Sequence, residues 1–335
     1  MTIYDVSKEA GVSIATVSRV LNGSDSVRPQ TRQKVLDVID KYGYTPNAFA
    51  RGLGLDTMKI IGILIADCSD MFLAKAISFV EKYLRDAGYE SILCCTGYDH
   101  DSKKAALERL VERRVDGIIM IGSSYVFENP EDNDYISANA ENVPIMLLNA
   151  DFDAPNVYCA FCDDFKASHD AVEYLIKGGA KRILHLHDSN SFSGKRKLSG
   201  YQSALLENNM EVDKDLIALY EGNRESAMEI AEFLMALNDE GIYFDAVFAG
   251  SDYLATGALS YARRKRLSVP NQLAIIGYNN TVLTTCCYPE LTSVDNRIEQ
   301  LSSQVVKTLI ELLTGSDMPQ KTVISGELVK RASTK

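Results

Sequence analysis

The chain has 335 residues, of which 46% are hydrophobic and 24% are charged, and its formal net charge is −11. This length exceeds one compact core and predicts a small domain followed by a larger one. The composition is that of a globular protein rather than a disordered chain, and no uninterrupted apolar run is long enough to cross a bilayer. The N-terminus lacks the basic-then-apolar pattern of a signal peptide, so we expect a cytoplasmic protein.

The negative charge is unevenly distributed along the chain. Residues 1–58 contain seven Lys or Arg and six Asp or Glu, so the excess of acidic residues lies entirely in the remainder. A net charge of −11 would by itself argue against a nucleic-acid partner. The asymmetry is nevertheless expected if only the front of the chain binds phosphate.

Residues 2–22, TIYDVSKEAGVSIATVSRVLN, predict two short amphipathic helices around a glycine turn. Thr2 and Ser13 are candidate N-caps, and Gly11 is placed to end the first helix. Apolar residues recur at helical spacing in both segments: Ile3, Val6 and Ala10, then Val17, Val20 and Leu21. Two helices joined by a short turn with Gly form a helix-turn-helix, whose second helix enters the major groove of DNA.

The outward face of the second helix has side chains suited to DNA contact. Arg19 can make a bidentate contact to guanine, and Ile14 and Ala15 can pack on a thymine methyl group. Thr16 and Ser18 can donate hydrogen bonds to phosphate. On this pattern alone, a small surface helical hairpin with one solvated Arg is the alternative.

A third helix is predicted after Pro29, which suits a first-turn position. Its apolar residues Val35, Val38, Ile39 and Tyr42 follow the i, i+3, i+4, i+7 pattern and would close a three-helix core. The next segment, YGYTPNAFARGLGL, could begin a short helix at Asn47. Its two glycines after Arg51 cost about 1 kcal/mol each relative to alanine, so we expect it to fold only against a partner.

From residue 59 onward, short apolar runs alternate with helical patterns, which predicts an α/β core of two doubly wound, parallel-sheet lobes. The first series of strands is KIIGILIAD, ESILCCTG, DGIIMIG and PIMLLN, and the second is NVYCAFCDD, KRILHLHD, DAVFAG and LAIIGYNN. Helices are predicted near 72–87, 102–114, 165–178, 200–208, 226–238, 253–266 and 296–313. The segment KTVISGELVKR reads as one final strand.

The motifs YDVSKEAGVSIATVSRVLNG and YGYTPNAFARGL, with the two-lobed remainder, resemble the lactose/galactose-repressor family of transcription regulators nearly end to end. The resemblance implies a homodimer with a periplasmic-binding-protein-like core, whose paired headpieces bind a roughly two-fold DNA operator. It also implies a hinge helix containing Asn47, Ala50 and Leu53, with Leu53 wedged into the minor groove.

The resemblance sets the expected domain boundaries. They are a DNA-binding domain over 1–46, a hinge helix and linker over 47–58, and an effector-binding and dimerisation core over 59–335. The chain of such a core crosses between lobes three times, here expected near 158–162, 289–296 and 318–322. The N-lobe would then span about 59–158 and 292–318, and the C-lobe about 159–289 and 319–331.

Ligands of such sheets bind just beyond the carboxyl ends of the strands, between lobes that can close like a hinge. We therefore expect the effector site among residues that follow strands. For Phe72, which the resemblance would stack on the effector, helix core is the alternative. The predicted site residues are Phe72, Ser124, Asn149, Lys197, Ser251, Asp252 and Asn279.

The predicted site departs from the family in its charges. Lys197 stands where the family often has an arginine, and Asn149 and Asn279 stand where the lactose-type members have carboxylates. Amides mix donor and acceptor character, whereas carboxylates only accept hydrogen bonds. We expect an effector with an anionic group, a sugar derivative or another small metabolite rather than a plain neutral sugar.

Seven cysteines raise the question of a metal or redox site. The CxxC at 159–162 lies on a predicted strand, and no second motif completes a metal site. The cysteines are therefore predicted to be mostly small buried hydrophobic residues, with no metal and no cofactor.

No motif of an enzyme family stands out, since GxGxxG, GxxxxGK[ST], HExxH and GxSxG are all missing. Two functions remain: a ligand-controlled DNA-binding repressor, or a solute-binding module or enzyme on the same two-lobed fold. The headpiece and the hinge segment favour the repressor. Because only residues 332–335 follow the last predicted strand, a dimer is the expected assembly.

Overall fold

The computed structural model describes residues 2–21, 24, 26–43 and 57–335. The N-terminal part contains helices α1 (Ile3–Ala10), α2 (Ile14–Leu21) and α3 (Pro29–Tyr42). Five valines form its buried core: Val6, Val17, Val20, Val27 and Val35. The predicted three-helix core is confirmed.

One of its predicted core residues is exposed. The side chain of Tyr42 is 45% exposed, because it stands on the last turn of α3 and does not join the valine cluster. Its hydroxyl lies 3.5 Å from the carboxylate of Glu9 at the surface.

The helix ends follow from the capping residues that the sequence indicated. The Thr2 hydroxyl accepts a hydrogen bond from Asp5 N (3.4 Å), while the Asp5 carboxylate accepts one from Thr2 N (2.7 Å). Gly11 has a φ of 66°, a left-handed conformation that costs glycine no steric strain, and α1 ends there. Ser13 Oγ accepts a hydrogen bond from Thr16 N (3.2 Å) and so caps α2.

The first lobe is a six-stranded parallel sheet between two layers of helices. Its elements are β1 (Ile60–Ile65), α4 (Met71–Asp86), β2 (Glu90–Cys95), α5 (His100–Glu112), β3 (Gly117–Ile121), α6 (Asp134–Ala140), β4 (Ile145–Leu148), β5 (Val157–Cys162), α11 (Ile298–Leu313) and β11 (Lys321–Ile324). The strand order is β11-β5-β4-β3-β1-β2. On one face of β1, Ile63 packs with α4 and α11, and on the other face Leu64 packs with α5. Both faces are thus buried, which explains the continuous apolar runs.

The second lobe repeats this architecture. Its elements are α7 (Asp164–Lys177), β6 (Ile183–His187), α8 (Phe192–Glu207), β7 (Ile217–Leu219), α9 (Ala227–Asp239), β8 (Ala246–Ala249), α10 (Asp252–Lys265), β9 (Ala274–Tyr278), β10 (Thr292–Asp295) and β12 (Glu327–Val329). The strand order is β12-β10-β9-β8-β6-β7. All strands of this sheet are parallel except β12, which pairs antiparallel with β10.

The strands next to the crossings belong to other lobes than expected. Strand β5, assigned to the second series, pairs with β4 and β11 in the first sheet. Strand β10, assigned to the N-lobe, pairs with β9 in the second sheet. The predicted final strand is two strands, β11 in the first sheet and β12 in the second.

The chain therefore crosses after Cys162, after Asp295 and between Ile324 and Glu327. The first crossing adjoins the expected range 158–162, the second falls within 289–296, and the third lies just beyond 318–322, because each begins only where a strand has completed its hydrogen bonding. The crossings meet at Gly326. A Cβ there would lie 3.1 Å from Cys162 Sγ and 3.3 Å from Asp295 O. The three segments that join the lobes therefore pack against one another.

None of the helices in the described ranges combines the length and apolarity needed to span a membrane.

Candidate nucleic-acid interface and interlobe cleft

The face of α2 that was predicted to read DNA is open to solvent. Ile14, Ala15 and Arg19 are exposed, whereas Thr16 and Ser18 are half-buried. The Thr16 hydroxyl lies 2.9 Å from Ser13 Oγ, so it supports the start of the helix. An exposed apolar and cationic surface on the second helix of a helix-turn-helix suits contact with base edges in the major groove.

The three hinge residues proposed for the minor groove, Asn47, Ala50 and Leu53, lie outside the described residues.

The seven residues predicted for the effector site all line one cleft between the two lobes. They come from different strand ends: Ser124 follows β3, Asn149 follows β4, Ser251 follows β8 and Asn279 follows β9. The carboxyl ends of parallel strands meet at one edge of each sheet, and the two edges face each other here. The structure thus brings the predicted set together.

Asp252 lines the cleft but has its carboxylate committed to the protein. One oxygen accepts a hydrogen bond from the Ser293 hydroxyl (2.6 Å), and the other accepts bonds from Thr281 N (2.6 Å) and the Thr281 hydroxyl (2.9 Å). Burial raises the pKa of Asp252 to about 6, against the effect of these hydrogen bonds. Asp252 therefore fixes the loop after β9 in the cleft wall.

The two asparagines of the predicted site both have left-handed backbones. Asn149 has a φ of 69° and Asn279 a φ of 93°, which asparagine tolerates better than most residues. Asn149 Oδ1 is buried without a hydrogen-bond partner among the described residues. Asn279 Oδ1 accepts a hydrogen bond from Asn296 Nδ2 at 3.1 Å. Asn149 thus offers the cleft an acceptor that the protein itself leaves unused.

Lys197 supplies a positive charge to the floor of the cleft. Its Nζ donates to the carbonyl of Gly250 (2.9 Å) and lies 3.8 Å from the ring centroid of Tyr278. Nearby Asp164 accepts a hydrogen bond from the Tyr278 hydroxyl at 2.6 Å. Burial raises the pKa of Asp164, and the charge of Lys197 counteracts part of that rise.

Phe72 combines the two roles that the sequence left open. It is 9% exposed, belongs to the main core cluster and also lines the cleft. It stands on the first turn of α4, at the boundary between the core of the first lobe and the cleft.

Sequence reasoning missed the residue that joins the lobes most directly, Arg224. Its guanidinium lies 3.1 Å from Asp70 Oδ2 and 3.6 Å from Asp67 Oδ2, and donates to the Tyr98 hydroxyl at 3.0 Å. All three partners belong to the first lobe. Arg224 follows β7, a three-residue strand, and recognising IAL as a strand would have placed it at the cleft.

Other polar contacts also cross the cleft. The Ser123 hydroxyl donates to Ser191 Oγ (2.9 Å), and Met71 N donates to the Tyr253 hydroxyl oxygen (3.4 Å). Lys195 pairs with Glu128 at 2.7 Å, near the outer edge. The lobes are therefore held together by interactions that opening would exchange for water.

Two stacked histidines form part of the cleft wall. The rings of His185 and His187 are nearly parallel, with centroids 5.1 Å apart. His185 is fully buried, and burial lowers its pKa to about 3. Its Nδ1 lies 3.3 Å from the Phe248 carbonyl, so the neutral ring donates its proton there. Burial also lowers the pKa of His187.

The cysteines depart from the expectation that they are mostly buried hydrophobic residues. Cys68 and Cys95 form a disulfide bond and Cys286 is an exposed thiol, whereas Cys159 and Cys162 are buried. Burial raises the pKa of Cys159 to about 11, so this thiol stays protonated. Within the described ranges, no cluster of three or more His, Cys, Asp or Glu side chains is placed to hold a metal ion.

Comparison with known proteins agrees with both parts of the structure. Residues 2–47 match the family model "Bacterial regulatory proteins, lacI family", and residues 172–334 match "Periplasmic binding protein-like domain". The chain is 48% identical over 334 residues to a curated HTH-type transcriptional regulator of Lachnoclostridium phytofermentans, covering 100% of this chain and 99% of that one.

Solved structures extend the likeness over the whole chain. The structure of the lac repressor dimer bound to operator and the anti-inducer ONPF has a TM-score of 0.87 and 26% identity, covering 99% of this chain and 98% of that one. A complex of the transcriptional regulator CelR with cellobiose has a TM-score of 0.73 and 27% identity, covering 99% of each chain. The chain is therefore a DNA-binding transcriptional regulator, not an enzyme, and belongs to the lacI family of bacterial regulatory proteins.

Proposed function

We propose that this regulator is a dimeric, cytoplasmic repressor whose affinity for its operator is set by a small molecule bound between the lobes. One observation carries the proposal: a single chain combines an exposed recognition face on α2 with a polar cleft that both lobes line. A free-standing solute-binding module has no use for the first feature.

The DNA half of the proposal rests on α2. Ile14, Ala15 and Arg19 would enter the major groove, while Thr16 and Ser18 would contact phosphates. Two headpieces in a dimer would read two half-sites related by two-fold symmetry. Asn47, Ala50 and Leu53 would form the hinge helix, with Leu53 kinking the operator at its centre. The lac repressor, which this chain resembles, was solved as a dimer on its operator.

Selection from random duplex DNA tests this half. The expected product is a palindrome whose binding weakens steeply with salt. Replacing Arg19 by Ala should cost about 1–3 kcal/mol at one base pair of each half-site. The matched control is Arg113→Ala, which removes an exposed side chain of the same charge from the effector-binding domain instead of the headpiece. Unchanged operator affinity in the Arg19 variant would show that the recognition face is assigned wrongly.

The effector half rests on the lining of the cleft. Hydroxyl and amide groups predominate there, and aromatic rings from Phe72 and Tyr98 border it. Such a lining suits a polyhydroxylated ligand, and the structural relative CelR was solved with cellobiose. The charge of Arg224 is matched by Asp70 and Asp67, so the preference for a sugar derivative or another metabolite with an anionic group rests on the ammonium group of Lys197.

Calorimetric titration of neutral sugars against the corresponding sugar phosphates tests the ligand class. We expect the phosphate to bind at least about tenfold more tightly, equivalent to about 1.4 kcal/mol. Tight binding of an unmodified sugar, with no gain for its phosphate, would contradict the proposed class without affecting the DNA half.

The mechanism follows from differential affinity. An effector that binds closed lobes better than open lobes shifts the population toward closure, and only such a difference can shift it. Closure would change the spacing of the two N-terminal lobes in the dimer. That spacing would decide whether the two hinge segments can fold together on the operator.

A further inference from the structure

A disulfide bond ties together two loops of the first lobe. Cys68 lies in the loop between β1 and α4, and Cys95 is the last residue of β2. Their Cα atoms are 6.5 Å apart, within the range of ordinary disulfides. Both residues are exposed, so solution thiols can reach them.

The same two loops provide all the first-lobe partners of Arg224. Asp67 and Asp70 flank Cys68 in the first loop, and Tyr98 follows Cys95 by three positions in the second. Their oxygens lie 3.6, 3.1 and 3.0 Å from the Arg224 guanidinium. The disulfide thus fixes the spacing of the two loops that receive a side chain from the opposite lobe.

We propose that Cys68–Cys95 is a reversible thiol–disulfide switch that controls closure of the lobes through Arg224. Reduction breaks the S–S bond and takes up two electrons and two protons, leaving two thiols. A dithiol, or two molecules of a small monothiol, supplies them and becomes a disulfide itself. Oxidation is the reverse exchange, with a small disulfide as the oxidant.

The physical basis is preorganisation. With the bond intact, the two loops are held at one spacing and Arg224 meets its three partners without ordering them. After reduction, closing the lobes must also restrict both loops, which costs conformational entropy. Fewer molecules are then closed.

An exposed disulfide also fits a regulatory role better than a structural one. Disulfides in a reducing compartment are mostly transient or redox-sensing, and accessible ones are the labile class. This point, and any effect on DNA binding, rests on the proposed function. The effect on lobe closure does not.

Hydrogen exchange of the full-length protein, without DNA or effector, tests the switch. Alkylation under denaturing conditions first counts thiols: we expect five to react in the oxidised protein and seven after dithiothreitol. Reduction should then accelerate amide exchange in the segment around Arg224, 221–226, by about fivefold or more, the lower end of typical couplings between sites.

Three variants locate the effect. In the double variant Cys68→Ser, Cys95→Ser, dithiothreitol should change nothing, whereas Cys286→Ser, which removes another exposed thiol, should respond like the wild type. Arg224→Met should exchange equally fast in both redox states, because the closing contact is gone.

The proposal is overturned if no disulfide forms under mild oxidation or if exchange around Arg224 is the same in both redox states. It is also overturned if the response persists in the double serine variant. Since none of these measurements involves operator or effector, the proposed function can fail while the switch stands, and the reverse also holds.

Discussion

At the scale of single residues, Asn149 keeps one position of the cleft wall uncharged. Its Oδ1 is buried and lacks a partner among the described residues, so a ligand can use it. A carboxylate at this position would keep the shape and add a negative charge, which would repel an anionic effector.

We therefore expect Asn149→Asp to weaken binding of a sugar phosphate by about tenfold or more, or about 1.4 kcal/mol, and to weaken a neutral sugar far less. Calorimetry with the pair of ligands measures the difference. Asn209→Asp is the control, because Asn209 also has a left-handed backbone (φ 58°) but is exposed outside the cleft. Equal losses for both ligands would mean that charge at position 149 is not what selects them.

His185 makes stability depend on pH in a defined direction. Its pKa is about 3 in the folded protein, lowered by burial from an ordinary value of 6.5. Between these values the unfolded state binds the extra proton, so stability is full above pH 6.5 and falls as the pH drops toward 3.

In His185→Phe the pH dependence that comes from this imidazole disappears, while the aromatic stack with Tyr201 and Phe248 is kept. The loss of unfolding free energy from pH 7.5 to pH 5 should be smaller than in the wild type by about 2 kcal/mol. Denaturant unfolding at the two pH values measures it. The raised pKa of Asp252 makes stability change with pH in the opposite direction. Asp252 is present in both proteins, so its contribution cancels in the comparison. An identical pH response in the two proteins would contradict a neutral, buried His185.

Residue roles were predictable where the residue follows an apolar strand that the sequence pattern reveals. The seven predicted cleft residues follow strands or lie on the helices after them, and the rule about strand ends was sufficient to find them. Arg224 and the Cys68–Cys95 pair were not predictable in this way. One follows a three-residue strand, and the other depends on the spacing of two loops, which no local pattern encodes.

At the scale of elements, α7 and α8 pack so closely that one position must be glycine. A Cβ on Gly200 would lie 2.2 Å from the Phe165 carbonyl oxygen and 3.0 Å from His169 N, both of which are backbone atoms. Lys197 stands on the same helix, so this contact also fixes the height of its ammonium group in the cleft.

Gly200→Ala should destabilise the second lobe by about 3 kcal/mol or more, because backbone cannot move aside as a flexible side chain can. Thermal unfolding measures the effect. Ser199→Ala, an exposed neighbour on the same helix, should stay within about 0.5 kcal/mol of the wild type. A wild-type melting temperature in the Gly200 variant would show that the two helices are not in backbone contact.

Strands were predictable in proportion to the apolar character of their sequences, not to their burial: β10 is buried and was missed, whereas β2 is largely unburied and was found. The central strands are apolar on both faces and were recognised as unbroken runs. Strand β10 has the sequence TSVD and was missed because three of its four residues are polar. One of them, Ser293, donates a hydrogen bond to Asp252. Strands β11 and β12 were merged, since nothing local shows that Ser325 and Gly326 carry the chain from one sheet to the other.

At the scale of the whole molecule, two lobes are joined by three crossings of the chain that meet at Gly326. The lobes are held closed by Arg224 and by the hydrogen bond between Ser123 and Ser191. The headpiece stands at one end of this chain, and the cleft lies between the lobes. A ligand that changes closure can therefore act on DNA binding without touching DNA, provided that its affinities for the two states differ.

The most direct test is reciprocal linkage between the two sites. Operator affinity, measured by fluorescence anisotropy with and without saturating effector, should change by a factor in the usual range of about 5 to 150. Effector affinity, measured by calorimetry with and without operator, should change by the same factor. If a ligand demonstrably bound in the cleft leaves operator affinity unchanged, the cleft does not control the headpiece and the account is wrong.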